Sequence, residues 1–346
     1  MALSVALLRF IVPPRQLGAA IGWNALTVAL SYAAGPTLGA VILARAGWPW
    51  LFAINLPLGI AVILACRALP HVAGTRRPLD RLSVALNNGG FAALVVGAEL
   101  LPARPALAAA LLVVAGVTLA ALVRREIPRA APLIPIDLLR DHSFRISVIA
   151  SVCCFAGQMM GLVALPFYLQ HGLGQSALTT GLYLTPWPLA VAVTAPIVGH
   201  LVNRMSTAWL CAAGSVCLAM GLSAASLWPL QGNLRPLVPI TILCGLGCAL
   251  FQVPNNRIMF LSAPHERSGA AGGMQATARL AGQVGGAVIM TLLFSLISVD
   301  SAPRIGLGIA AALTLAAGLV GMVRSLVPRR AIAAQRRTSN PFTLEE

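Results

Sequence analysis

Lysine is absent from this chain: all 24 of its basic residues are arginine. Carboxylates are scarce too, nine among 346 residues, which leaves a formal net charge of +15 at pH 7. Apart from Glu99, no acid falls inside a long apolar run. No Ser/His/Asp set, nucleotide loop or pair of metal-binding carboxylates can be assembled, so a membrane-embedded enzyme acting on lipids would lack its chemistry. In a soluble protein such an excess of arginine would point to nucleic acid. Here no basic patch is interleaved with aromatics, and the charges lie in short loops between apolar runs. The seven cysteines lie within or at the ends of those runs. Cys244 and Cys248 share a helix face, but no His or carboxylate completes a metal set, and small packing residues are the plainer reading. His200 sits at a span boundary and His71, His142 and His265 in loops, so none is placed as a proton relay.

What is present is hydrophobic: 58% of the residues, against 10% charged, with a mean hydropathy of +0.85. That composition belongs to polytopic membrane proteins. Charge-free windows fall near residues 17–44, 47–66, 82–101, 106–123, 146–170, 177–200, 208–228, 236–255, 270–298 and 305–323. Each is close to the ~20 residues that cross a bilayer as a helix. Residues 2–12 are apolar but too short to span; Arg9 comes late and no small-residue cleavage site precedes Pro13-Pro14, which argues against a signal peptide. The expected fold is all-α, with about ten transmembrane helices and a partial one. The long polar connections are 67–81 and 124–145. Pro128, Pro132 and Pro135 interrupt the second, leaving room for a short interfacial turn at 136–140. If loops are assigned alternately to two sides, 18 arginines fall on the side of Arg15 and four on the other, with Arg9 and Arg279 inside apolar stretches. The bias places the Arg15 side and the C-terminus in the cytoplasm.

One stretch, residues 22–40, is more specific. Ser31, Gly35 and Gly39 recur every fourth position and form a stripe of small residues on which another helix can pack closely. Pro36 has no N–H for the carbonyl of Tyr32 and should kink the helix, with Ser31 near enough to help satisfy that carbonyl. The spacing of Gly22, Ser31, Gly35-Pro36 and Gly39-Ala40 resembles the fifth-helix antiporter motif of major facilitator superfamily exporters. It departs from that motif at Ser31 and Ala40, which replace glycines with other small residues. The block from Trp48 to Gly59 looks like the start of the sixth helix in the 14-span drug:proton antiporter branch. Gly181 to Pro186, then Gly199, Asn203 and Arg204, resemble a span and the cytoplasmic gating turn of the second bundle, with Asn203 where an Asp is usual. Pro254, residues 266–269, Gly272-Gly273, Arg279 and residues 282–286 resemble the twelfth-to-thirteenth span region.

The resemblance implies a division into residues 1–81, the end of span 4 with spans 5 and 6; 82–123, an inserted helix pair; 124–145, a cytoplasmic linker; 146–325, a C-terminal six-helix bundle; and 326–346, a basic tail. On this reading the first three spans lie outside the chain, and without them it would have no complete central cavity to transport by itself. Candidate cavity residues are Asn24, Gln158, Tyr183, Trp187, Gln252, Asn255, Arg279 and Gln283, each equally open to a packing role. Arg279, deep in its span, could attract anions, tune a proton-binding acid or hold carbonyls. Arg204 could latch the inward-closed state or serve only as a positive-inside anchor. The implied function is proton-coupled export of lipophilic or cationic compounds across the inner membrane by alternating access, driven by the proton gradient without a cofactor. Movement of an endogenous metabolite is the alternative, and so is a non-transporting fragment that associates with another membrane chain.

Overall fold

The computed structural model describes residues 12, 17–67, 80–101, 103–126, 136–228, 233–264, 267–298 and 301–326. The start of the chain, most of the 67–81 connection, residues 127–135 and the tail from 327 lie outside the described residues, as do His71 and His265. All regular structure among the described residues is helical.

The first helix, α1 (Leu17–Ala46), runs as one helix through residue 36. Gly47, at φ 81°, turns the chain in a conformation that a side chain would strain. Pro49 then opens α2 (Pro49–Ala53), where its missing N–H has no helical partner to lose. The Ile54 N–H still reaches the Trp50 carbonyl at 3.1 Å, so α2 and α3 (Asn55–Cys66) make one apolar crossing unit of 18 residues. No residue of α3 is buried; its leucines and isoleucines face outward, as side chains in contact with lipid do.

Helices α4 (Arg81–Leu100) and α5 (Pro105–Glu126) form an antiparallel hairpin. Gly90 sits where a Cβ would meet the Leu119 side chain at 2.8 Å, and Gly97 where it would meet Leu111 at 3.1 Å. Beyond this pairing, α4 touches chiefly α11. At their open end the buried Ser83 hydroxyl lies 2.6 Å from the Glu126 carboxylate, and Arg125 pairs with Asp80 at 3.2 Å. The expected turn in the linker is present as a 3₁₀ segment, Ile136–Arg140. It is fastened twice: Leu138 is buried against Phe144, Met259 and Met274, and Asp137 accepts two bonds from Arg267 at 2.7 and 3.1 Å.

The C-terminal bundle holds the core. Asp141 caps α6 (His142–Phe167) by accepting from the Phe144 N–H at 2.8 Å, and a π turn (Tyr168–Gly172) ends that helix. Then come α7 (Ala177–Leu184), α8 (Pro186–Leu201), α9 (Thr207–Leu227), α10 (Leu237–Ser262), α11 (Ser268–Leu296) and α12 (Ala302–Leu326). The helix breaks at Thr185, beside Pro186 with its missing N–H, and the Thr185 hydroxyl steadies the break by donating to the Gly181 carbonyl at 2.7 Å. Helix α10 packs on α8 and α9, α9 on α12, and α6 lies between α12 and α11, while α1 lies along α8. Met160, Leu165, Leu218, Leu222 and Phe251 fill the centre, together with Cys154, Cys244 and Cys248. Lipid is as apolar as these side chains, so close van der Waals fit rather than the hydrophobic effect holds the helices together.

Among the described residues, eight segments are long and apolar enough to cross a membrane. The expected windows at 17–44 and 82–101 are helical as well, as α1 and α4. In α4, Ser83, Asn87, Asn88 and Glu99 dilute the apolar run, and Glu99 is exposed.

At the far end of the bundle, Arg304 clasps the end of α9. Its Nε donates to the Ser226 carbonyl at 3.0 Å, and Nη2 reaches the Leu227 and Trp228 carbonyls at 3.4 Å; the Ser226 hydroxyl returns a bond to the Arg304 carbonyl at 2.8 Å. A cation on the last, otherwise unpaired carbonyls of a helix is favourable twice over, by hydrogen bonding and by dipole. Arg304→Ala is expected to cost ~1–2 kcal/mol. At ~2–4 °C per kcal/mol this should lower the melting temperature of the purified protein by several degrees in differential scanning fluorimetry.

Candidate functional site

Polar side chains at mid-helix gather in one belt, shared by α6, α10 and α11. Helix α10 supplies three successive amides. Gln252 donates to the Gln158 carbonyl oxygen on α6 at 3.3 Å. Asn255, 2% exposed, donates to the Ser147 carbonyl at 3.1 Å and the Ser151 hydroxyl at 2.8 Å, again on α6. Asn256 accepts from Gln275 on α11 at 3.3 Å. On α11, the guanidinium of Arg279 lies over the ring of Phe155 of α6, 5.4 Å from its centroid. At 1.5 Å per residue, Arg279 is ~16 Å along α11 from Ser268 and Gln252 is ~15 Å along α10 from Ser262. Each therefore lies several turns inside a helix long enough to cross a ~30 Å hydrocarbon layer.

Glycine sets this geometry. A Cβ on Gly282 would meet the Val152 carbonyl oxygen at 2.5 Å, and one on Gly286 would run into the Ala156 carbonyl. The α6 and α11 backbones therefore touch, and this contact holds Arg279 above Phe155. Among the described residues, no group of three or more His, Cys, Asp or Glu could hold a metal ion.

Of the residues singled out from the sequence, Gln158, Gln252, Asn255 and Arg279 come together in the belt. Gln283 lies half-buried one turn beyond Arg279 on α11. Trp187 does not line a surface: it is 2% exposed in the bundle core, against Gly161 and Gly245. Tyr183, half-buried, packs on the same core, and its carbonyl faces the Thr241 hydroxyl at 3.4 Å. Asn24 is half-buried on α1, away from these bonds.

The α1 stripe differs from expectation. Nothing described lies within 4 Å of where a Cβ on Gly35 would be; one on Gly39 would meet only Leu51, at 3.8 Å. Ser31 is exposed, and its hydroxyl donates to the Thr27 carbonyl at 2.8 Å rather than helping Tyr32. On a helix a serine hydroxyl reaches back to its own i−4 carbonyl, and Tyr32 lies ahead of it.

At the turn between α8 and α9, Gly199, Asn203 and Arg204 are all exposed, and Gly199 has open space where a Cβ would lie. The bond that holds the turn comes from elsewhere: Arg257 Nη1 donates to the Val202 carbonyl at 2.9 Å. The sequence hides this because charge-free windows end the helix at 255, whereas α10 continues to Ser262 and carries Arg257 with it. Arg257→Ala should speed hydrogen exchange of the amides at 202–206 several-fold. Arg204→Ala should leave it unchanged, since the Arg204 side chain forms no hydrogen bond with the described residues.

These long apolar helices, with paired polar groups at mid-depth, define a polytopic membrane protein whose polar belt lies inside the bilayer. A family model described as Major Facilitator Superfamily matches residues 147–344, which includes the belt. An uncharacterized transporter of Escherichia coli, YebQ, is 43% identical over 335 residues, 95% of this chain and 73% of that protein. The tetracenomycin C resistance and export protein of Streptomyces glaucescens is 32% identical, over 84% of this chain and 56% of that protein. The riboflavin transporter RibZ of Clostridioides difficile is 26% identical, over 81% of this chain and 61% of that protein. The chain thus spans between about half and three quarters of the length of these relatives. It belongs to the Major Facilitator Superfamily, as a membrane transport protein of that type and not an enzyme.

Proposed function

We propose that the protein exports lipophilic compounds from the cytoplasm in exchange for protons, by exposing the mid-membrane belt alternately to the two sides. The observation that carries this reading is the belt itself. In a bundle whose helices are apolar on nearly every face, Gln158, Gln252 and Arg279 bring hydrogen-bonding groups together several turns from the helix ends, which supports a substrate path there. Further features support it. Relatives at 32% and 25% identity are named for resistance and export or multidrug resistance, the spacing across residues 22–40 resembles the antiporter motif of major facilitator superfamily exporters, and residues 48–59 resemble the sixth helix of the 14-span drug:proton antiporters. On this reading the protein lies in the inner membrane with its C-terminus in the cytoplasm, an orientation that the arginine bias of the loops supports. Proton coupling needs a titrating group reachable from both sides, and helices α6–α12 contain no Asp or Glu. In this scheme the proton-carrying acid therefore belongs to another part of the protein.

The test uses everted membrane vesicles containing the full chain. An imposed gradient, acid inside, should drive accumulation of a lipophilic dye, and nigericin should abolish it. Accumulation that ignores the pH gradient would contradict proton exchange.

A further inference from the structure

We infer that the belt favours amphipathic organic anions over lipophilic cations. The inference rests on the transport reading above and narrows its substrate class by charge. Helices α6–α12 contain no Asp or Glu, so no carboxylate on them could neutralise a cation. Their three histidines do not lie at mid-depth: His142 starts α6, His171 is in the π turn at its far end, and His200 is in the last turn of α8. Among the charged residues of α6–α12, Arg279 lies furthest from a helix end, its guanidinium half-buried over the face of Phe155.

Three consequences follow. In a medium of low dielectric constant, a cation entering beside Arg279 meets a repulsion that bulk water would have screened, and an anion meets the corresponding attraction. The guanidinium has five N–H donors, so it can serve a carboxylate or phenolate oxygen in addition to other contacts. The Phe155 ring beside it and the α6–α11 backbone contact at Gly282 limit where the guanidinium can move, which lowers the entropy lost when an anion binds. The Gln158–Gln252 pair adds neutral amides one helix away, suited to carbonyl or hydroxyl groups of either charge class. Arg279 is therefore the element that discriminates.

The probes are fluorescein and rhodamine 123, dyes built on the same tricyclic frame with opposite charge at neutral pH. Binding to the detergent-purified full chain is followed by fluorescence anisotropy. Fluorescein should bind about 10-fold more tightly than rhodamine 123, the difference a single charge-assisted contact supplies. Arg279→Gln should erase the preference, and Arg279→Lys should keep most of it. Because a change at Arg279 could also disturb folding, Gln283→Glu provides an independent test. It places a carboxylate one turn from Arg279 and should shift the preference toward rhodamine 123 while Arg279 is intact. Equal or tighter binding of rhodamine 123 by the unmodified protein overturns the inference. So does a fluorescein preference that survives Arg279→Gln in a protein eluting as a monodisperse species, and so does binding of neither dye. Failure of the transport reading shows separately: the binding preference would hold, yet neither dye would move in response to a pH gradient.

Discussion

Gly247→Val is expected to prevent accumulation of folded protein, and the reason lies in backbone contact. A Cβ at Gly247 would collide with the Leu218 backbone on α9 and lie 2.7 Å from the Gly214 carbonyl oxygen. From the other side, a Cβ at Gly214 would lie 2.5 Å from the Phe251 nitrogen. Each helix thus presents a glycine to the other's backbone, and no rotamer change can make room. The two helices would have to separate and give up the surrounding contacts of Leu218, Leu222, Cys244 and Phe251, at ~3 kcal/mol or more. The checks are the yield of monodisperse protein in detergent and its melting temperature. Gly285→Ala is the contrasting case: a Cβ there meets nothing within 4 Å, so relief of glycine's entropy should leave the protein as stable or raise its stability by ~0.5–1 kcal/mol.

Asn255→Leu should come second in effect. The Asn255 side chain is enclosed, and its amide joins α10 to α6 through Ser147 and Ser151. Hydrogen bonds inside membrane proteins contribute ~0.6–1.7 kcal/mol each, and leucine must also fit a space shaped for an amide. A combined loss of ~2–3 kcal/mol should appear as a melting temperature lowered by ~4–12 °C. Proton-driven dye accumulation should fall with it, because α10 carries Gln252 to its place beside Gln158. Asn255→Asp offers no amide donor and should behave similarly, which separates the hydrogen bonds from side-chain size.

Hydropathy made the helices legible, because a bilayer sorts a chain by apolar length more strictly than water does. The windows at 82–101 and 208–228 fall within a residue of α4 and α9, and the break before Pro186 follows from proline's missing N–H. Pairings were far less legible. A membrane helix is apolar on nearly all faces, so periodicity does not reveal which side meets protein and which meets lipid. The sequence marked Gln158, Gln252 and Asn255 as polar groups in spans, but their bonds depend on how α6 and α10 lie together. The parts of Arg257 and Arg304 were hidden for another reason. Read one by one, arginines at helix ends look like positive-inside anchors, and only the folded chain shows which of them reach a neighbouring carbonyl. Trp187 shows the converse: a polar tip among prolines resembled a cavity residue, but glycines at 161 and 245 give it a place inside the core.

Photo-crosslinking tests the central claim, that the α6–α10–α11 belt faces the substrate, most directly. Benzoylphenylalanine replaces Gln252 in one variant and Leu319, on the exposed side of α12, in another. Each full-length protein is irradiated with fluorescein or rhodamine 123 in membranes, and the dye bound covalently is measured. The account predicts saturable labelling at position 252, competed by excess unmodified dye, and only weak, non-saturable labelling at 319. Equal labelling at the two positions, or none at 252 that a competitor removes, would contradict it.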